Sequence, residues 1–249
     1  MTALLGALII GLSLGLFGSG GSILTVPVLL YLLGQDPQVA IASSLLIVGG
    51  ISLLGSVQNG WKRLISWRHV LYFGVPGIFG TWLGALAGLV VDARWQLLVF
   101  ALLMAVAAVF MWRSRLPELN AASKIKPLKI IFEGLAVGAI TGFVGVGGGF
   151  LIVPALVLIG GLSLPVGVAT SLVIIAMKSL VGFTQYYVPM QQAGYEFDLK
   201  VILVMILAGA IGSYAGGWIG RRLATEKLQK GFAGFLLIMA IVVIYQSVL

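Results

Sequence analysis

The sequence predicts an all-α integral membrane protein made of two inverted-topology repeats, each a broken or re-entrant first element plus three transmembrane helices. Three observations predict it: charge is scarce and clustered, long uncharged runs separate the clusters, and the second half of the chain repeats the first. Of 249 residues, 60% are hydrophobic and only 9% are charged. A water-soluble surface cannot be covered with so few polar groups.

The runs come in order along the chain. No Asp, Glu, Lys, Arg or His precedes Asp36, and none lies between Asp36 and Lys62. Further uncharged runs cover Val70 to Val91, Trp95 to Trp112, Val201 to Gly220 and Gly231 to Leu249. Each approaches the roughly 20 apolar residues that span a bilayer as helix. None alternates in polarity as a barrel strand would. Met1 to Gly11 is apolar without a basic flank, so it is expected to belong to the first element rather than to a cleaved signal.

The repeat is direct. Gly11 to Leu30 and Gly138 to Val157 share nine of twenty residues at an offset of 127, including Gly18/Gly145, Gly20/Gly147, Gly21/Gly148 and Pro27/Pro154. The same offset pairs Ala42-Ser43-Ser44-Leu45 with Ala169-Thr170-Ser171-Leu172, and Gln58 with Gln185. After a five-residue insertion in the second half, Gly80, Gly84 and Gly88 match Gly212, Gly216 and Gly220. The expected division is a first membrane repeat over 1–112, a basic cytoplasmic linker over 113–130, and a second repeat over 131–249.

The first element decides the relative orientation of the halves. Residues 3 to 33 are too long for one simple helix and are broken by glycines. One crossing there makes the halves parallel; a re-entrant hairpin or two crossings makes them inverted. Positive charge concentrates on the cytoplasmic side. The inverted arrangement puts twelve basic residues on one face against two on the other, whereas the parallel one divides them nine to five. The expectation is therefore inverted, with the linker cytoplasmic and both termini outside.

Glycine inside a helix costs roughly 1 kcal/mol relative to alanine. The four-residue spacing of Gly80/84/88 and Gly212/216/220 is the pattern of close helix packing. The dense, irregular set Gly18, Gly20, Gly21, Gly145, Gly147, Gly148 and Gly149 instead predicts a chain reversal and a new helix start. Such a start leaves backbone N–H groups unpaired and carries a partial positive charge. Two of them meeting near the midplane form a recurrent anion site, with Gly20-Gly21-Ser22 and Gly147-Gly148-Gly149 as the candidates. Ser22 offers a cap, and Pro27 and Pro154 are expected to bend the helices that follow.

Lys178 lies midway along an uncharged run, where an ammonium costs at least ~2.5 kcal/mol. Its repeat partner is Ile51, so the charge breaks the internal symmetry. It either neutralises an anion or exchanges a proton, or else it snorkels or binds a carbonyl. Ser43, Ser44, Thr170 and Ser171 offer hydroxyls that either serve a substrate or bond a carbonyl one turn back. Gln58 and Gln185 occupy matching positions further along. His69 stands alone, Glu133 reads as a helix-dipole partner near the start of the second repeat, and Trp82 reads as core or pathway. Tryptophans 61, 67, 95, 112 and 218 read as interfacial anchors.

Several classes are excluded. With no cysteine there is no disulfide or thiolate chemistry. No catalytic or metal-ligand set lies in the spans, and no cofactor is implied. The glycine stretch is not a nucleotide loop, because Phe150 stands where the last glycine belongs and no lysine follows. The net charge of +8 reads as cytoplasmic loops rather than as nucleic-acid binding. The expected partners are a small anionic substrate and the lipid bilayer, with oligomeric state, including a homo-oligomer, left open.

The duplicated GLFGSGGSILTVP and GFVGVGGGFLIVP, each followed by an A-[ST]-S-L stretch, resemble the signature of the TauE/SafE family of sulfite and organosulfonate exporters. The resemblance runs from Gly6 to about Tyr245, and Ser22 replaces the third glycine of the first copy. It implies a multi-pass permease of the bacterial inner membrane that exports sulfite or a related sulfonate by secondary transport. Physical reading alone supports a small anion, with a carboxylate carrier and an anion channel as alternatives.

Overall fold

A computed structural model describes residues 2–17, 20–61, 63–113, 127–145, 149–220, 222 and 225–248. Among the described residues every regular element is a helix. In the first half, α1 (Thr2–Phe17) precedes α2 (Gly20–Pro27), which passes into a π-helical stretch, Val28–Leu32. Next come α3 (Pro37–Trp61), α4 (Trp67–His69), a π-helical stretch at Val70–Gly74, α5 (Val75–Leu89) and α6 (Ala93–Arg113). The second half runs α7 (Pro127–Val144), α8 (Gly149–Pro154) with a π-helical stretch at Ala155–Ile159, α9 (Leu164–Gln192), α10 (Leu199–Gly220) and α11 (Thr225–Val248).

Among the described residues five helices are long and apolar enough to cross a membrane: Pro37–Val57, Trp67–Leu89, Ala93–Phe110, Pro165–Gln192 and Leu199–Gly220. Large apolar side chains also cover the outside, Phe79, Leu102, Phe110, Ile211 and Ile241 among them. A helix apolar on all faces belongs in lipid. Trp82 is on this outer surface, 38% exposed against Phe79, and so is not a core residue. Trp67, Trp95, Trp112 and Trp218 are all at least half exposed near helix ends.

The broken first element is present in both halves, as α1 then α2 and as α7 then α8. Proline explains where α2 and α8 change character. Pro27 and Pro154 lack an N–H, so the i→i−4 ladder cannot continue through them. Beyond each, the chain widens into π geometry, a form that absorbs a mismatch in the ladder. The two copies agree bond for bond: Leu33 N–H donates to Val28 O and Gln35 N–H to Leu29 O, as Gly160 N–H does to Ala155 O and Leu162 N–H to Leu156 O. Both stretches end on a left-handed glycine, Gly34 at φ +63° and Gly161 at φ +68°.

The three aspartates sit at helix starts. Asp36, Asp92 and Asp198 accept from the backbone N–H groups of Gln38, Arg94 and Lys200 respectively, at 2.8–3.0 Å. Each satisfies an otherwise unpaired donor and complements the helix dipole.

Packing follows the repeat. The glycines of α5 press on α7 and those of α10 on α1, close enough that a Cβ would strike backbone. Gly80 meets Leu135 and Ala139, and Gly84 meets Ala139 and Phe143; correspondingly Gly212 meets Leu8 and Leu12, and Gly216 meets Leu12 and Leu16. Positions rise together in each pair, so α7 runs parallel to α5, and α1 runs parallel to α10. The first helix of each half thus docks on the next-to-last helix of the other half. At the centre α3 crosses its own copy α9: Leu45 lies against Gly182, Gly49 against Ser179, and Gly55 against Leu172. Here positions fall as their partners rise, so the two equivalent helices run antiparallel. Outside them, α6 packs on α11.

Candidate functional site

Lys178 occupies the centre of α9, fully buried, and its Nζ has no hydrogen-bond partner among the described residues. It lies thirteen residues from Pro165 and fourteen from Gln192, the ends of the membrane-length segment. Its aliphatic stem runs past α5, where a Cβ at Gly77 would lie 3.3 Å from Cδ and 3.2 Å from the Gly134 carbonyl of α7. Glycine at 77 is what leaves room for the lysine between the three helices.

Among the described residues no carboxylate pairs with this amine. The aspartates are helix caps. Glu226 pairs with Lys230 at 2.8 Å, and Glu133 lies 3.9 Å from Lys129 in the second turn of α7 rather than at its start. Glu196 lines an open cleft beyond the end of α9. A buried ammonium without a counter-charge is costly.

The hydroxyls divide into two kinds. Ser52 and Ser179, repeat partners near the α3–α9 crossing, are buried, and their Oγ atoms meet no partner among the described residues. Ser43 is in the same condition. Three others engage the protein. Ser44 Oγ is 2.8 Å from Ile41 O and 2.7 Å from Gly145 O, so it ties α3 to the end of α7. Thr170 Oγ1 accepts from Ser66 N–H at 3.0 Å, and Ser171 Oγ donates to Val168 O. Ser22 is fully buried near the start of α2.

The glycine breaks are placed in part. Gly20 opens α2, and Gly21 presses on Ile10 and Leu14 of α1, so the chain has turned back on itself there. Gly149 opens α8, while Gly147 and Gly148 lie outside the described residues. Gly145 takes φ +70° with the Ile41 side chain against it, a position closed to other residues by both conformation and space. It sits beside Ser44, ~10 Å into α3 from Pro37 at 1.5 Å per residue. The α2 and α8 helices touch each other. Ser171, Lys178 and Gln185 share one face of α9 at a spacing of seven residues, about two turns. The matching α3 face carries Ser44 and Ile51, while the Gln58 side chain lies outside the described ones.

Two residues have structural parts that the sequence does not mark. His69 is buried, with Nε2 3.1 Å from Gly160 O and Nδ1 2.8 Å from Ser66 Oγ. A carbonyl only accepts, so the proton is on Nε2 and Nδ1 accepts from the serine. Tyr186 places its hydroxyl 3.3 Å from the carbonyls of Gly142 and Phe143 and holds the end of α7. The Ser66–His69 spacing of one helical turn hints at the first contact. Nothing local marks either long-range bond.

A helical chain with five membrane-length apolar segments, an apolar outer surface and a buried polar centre on its two crossing helices is a multi-pass membrane protein. It belongs to the TauE/SafE sulfite exporter family, whose model matches residues 3–243. It is 32% identical to a probable membrane transporter protein of Xylella fastidiosa (strain 9a5c), over 96% of this chain and 92% of that one. A probable membrane transporter protein of Haemophilus influenzae is 28% identical, covering 96% of this chain and 95% of its own. The probable membrane transporter protein YunE of Bacillus subtilis is 26% identical, with 97% and 96% covered.

Proposed function

We propose that this chain is a secondary transporter that exports a small sulfur-containing anion, sulfite or an organosulfonate, across the bacterial inner membrane. The observation that carries the reading is Lys178: a fully buried, unpartnered ammonium midway along a membrane-length helix. Ser43, Ser52 and Ser179 add hydroxyls without partners among the described residues. The helix starts at Gly20-Gly21-Ser22 and Gly149 add oriented backbone N–H groups. One charge and several neutral donors suit an oxyanion. The sulfur assignment comes from the family's description as a sulfite exporter, since the relatives' names carry no substrate.

Inverted topology supports alternating access. Equivalent helices α3 and α9 are both membrane-length and run antiparallel, which supports halves that cross in opposite senses. The parallel pairs α1 with α10 and α7 with α5 agree with that arrangement, as does the distribution of basic residues. The halves would then rock about the fixed crossing and open the site to each side in turn.

Uptake of labelled sulfite into proteoliposomes tests the reading. Saturable uptake, inhibited by unlabelled organosulfonates, is expected. Inhibition by carboxylates alone would transfer the assignment to an organic-acid carrier, and uptake that never saturates would make it a channel.

A further inference from the structure

We propose that the site counts charge: the single ammonium of Lys178 selects monovalent anions over divalent ones, and Ile51 is the position at which a second charge reverses the choice. The inference rests on reading the α3–α9 crossing as the anion site.

Among the described residues, Lys178 is the one basic residue deep within a membrane-length segment. The start of α2 contributes only the partial charge of a helix terminus, and the serines contribute none. A monoanion beside one ammonium is neutralised. A dianion leaves a full charge unmatched in a medium of low dielectric, which neutral donors do not offset. An anion such as a sulfonate, with three equivalent oxygens and one charge, uses both the ammonium and the hydroxyls.

Ile51 is where the fold could accept a second cation. It is fully buried and occupies on α3 the position that Lys178 occupies on α9. Its niche is the same in kind. Gly209 and Ala7 flank Ile51 as Gly77 and Gly134 flank Lys178, with Ala7 O 3.4 Å from where a Gly209 Cβ would lie. The antiparallel contact of Gly49 with Ser179 puts both positions near the centre of the crossing. A lysine at 51 would enter the site from the other half.

The experiment compares uptake of methanesulfonate, a permanent monoanion, with sulfate, a dianion. It uses proteoliposomes of the native protein, of Ile51→Lys, and of the exchanged pair Ile51→Lys with Lys178→Ile. The native protein should favour methanesulfonate by about 100-fold or more, Ile51→Lys should raise relative sulfate uptake at least about tenfold, and the exchanged pair, with one charge again, should restore the native preference. A measurement on the native protein alone is independent of whether either variant folds. Sulfite uptake should fall as pH rises through neutrality and bisulfite gives way to its dianion, while methanesulfonate uptake holds. Equal native uptake of both anions, or a monodisperse Ile51→Lys protein that still excludes sulfate, overturns the charge count and leaves the transporter reading standing. Native protein that carries no anion at all overturns both.

Discussion

At the residue scale the proposed transport turns on Lys178 and on the glycines that make room around it. Lys178→Met keeps the length of the side chain and removes the charge. Exchange of a buried charge for an apolar group of similar volume is often neutral or stabilising. The melting temperature in detergent should therefore hold or rise, while anion uptake falls by about 100-fold, the equivalent of ~3 kcal/mol of lost binding. A fall in both would make Lys178 a structural residue. Gly145→Ala meets a left-handed backbone and the Ile41 side chain together. It should cost about 1–2 kcal/mol, measured as a lower melting temperature, whereas Gly234→Ala, with open space around it in α11, should be neutral or slightly stabilising. Lys178 was legible in the sequence because an ionisable residue in a long apolar run stands out. Gly145 was legible as part of a cluster. The split among hydroxyls was not legible, because Ser44 and Thr170 find their partners 101 and 104 residues away in the chain.

At the element scale the repeat made nearly all the helices legible, since each half supplies a second copy of every signal. The four-residue glycine spacing predicted close packing, and the structure adds the partners: α5 takes α7, and α10 takes α1. That exchange between halves could not be read from spacing, because a small-residue stripe says that a helix packs closely without saying on what. It gives a symmetric prediction. Gly84→Ala and Gly216→Ala both drive a Cβ into the carbonyl of a facing helix, at Ala139 and Leu12. Backbone cannot give way as a side chain can, so each should destabilise by roughly 2 kcal/mol or more, and to a similar extent. Gly217→Ala, whose Cβ would find its nearest neighbour at 3.8 Å, should do neither harm nor good. Thermal melts of the three variants check the set, and a tolerated Gly84→Ala beside a damaging Gly216→Ala would break the equivalence of the halves. The π-helical stretches after Pro27 and Pro154 were anticipated only as bends.

At the scale of the whole molecule, two lines support the proposed inverted topology: charge in the loops, and the directions of the helices that touch. The chain has no cysteine, so single introduced cysteines report sidedness without background. Arg94→Cys and Lys200→Cys should react with an impermeant maleimide in intact cells, and Arg63→Cys and Lys230→Cys only after permeabilisation. Labelling of Arg63 and Lys200 positions from the same side would make the halves parallel and end the alternating-access reading. The central claim is that two opposed halves carry an anion about a fixed site at their crossing. Counterflow tests it most directly: proteoliposomes loaded with unlabelled sulfite are diluted into a trace of labelled sulfite. A carrier predicts transient accumulation of label above its equilibrium level, lost in Lys178→Met. Label that only equilibrates, at a rate indifferent to the internal load, would contradict a carrier and describe a pore.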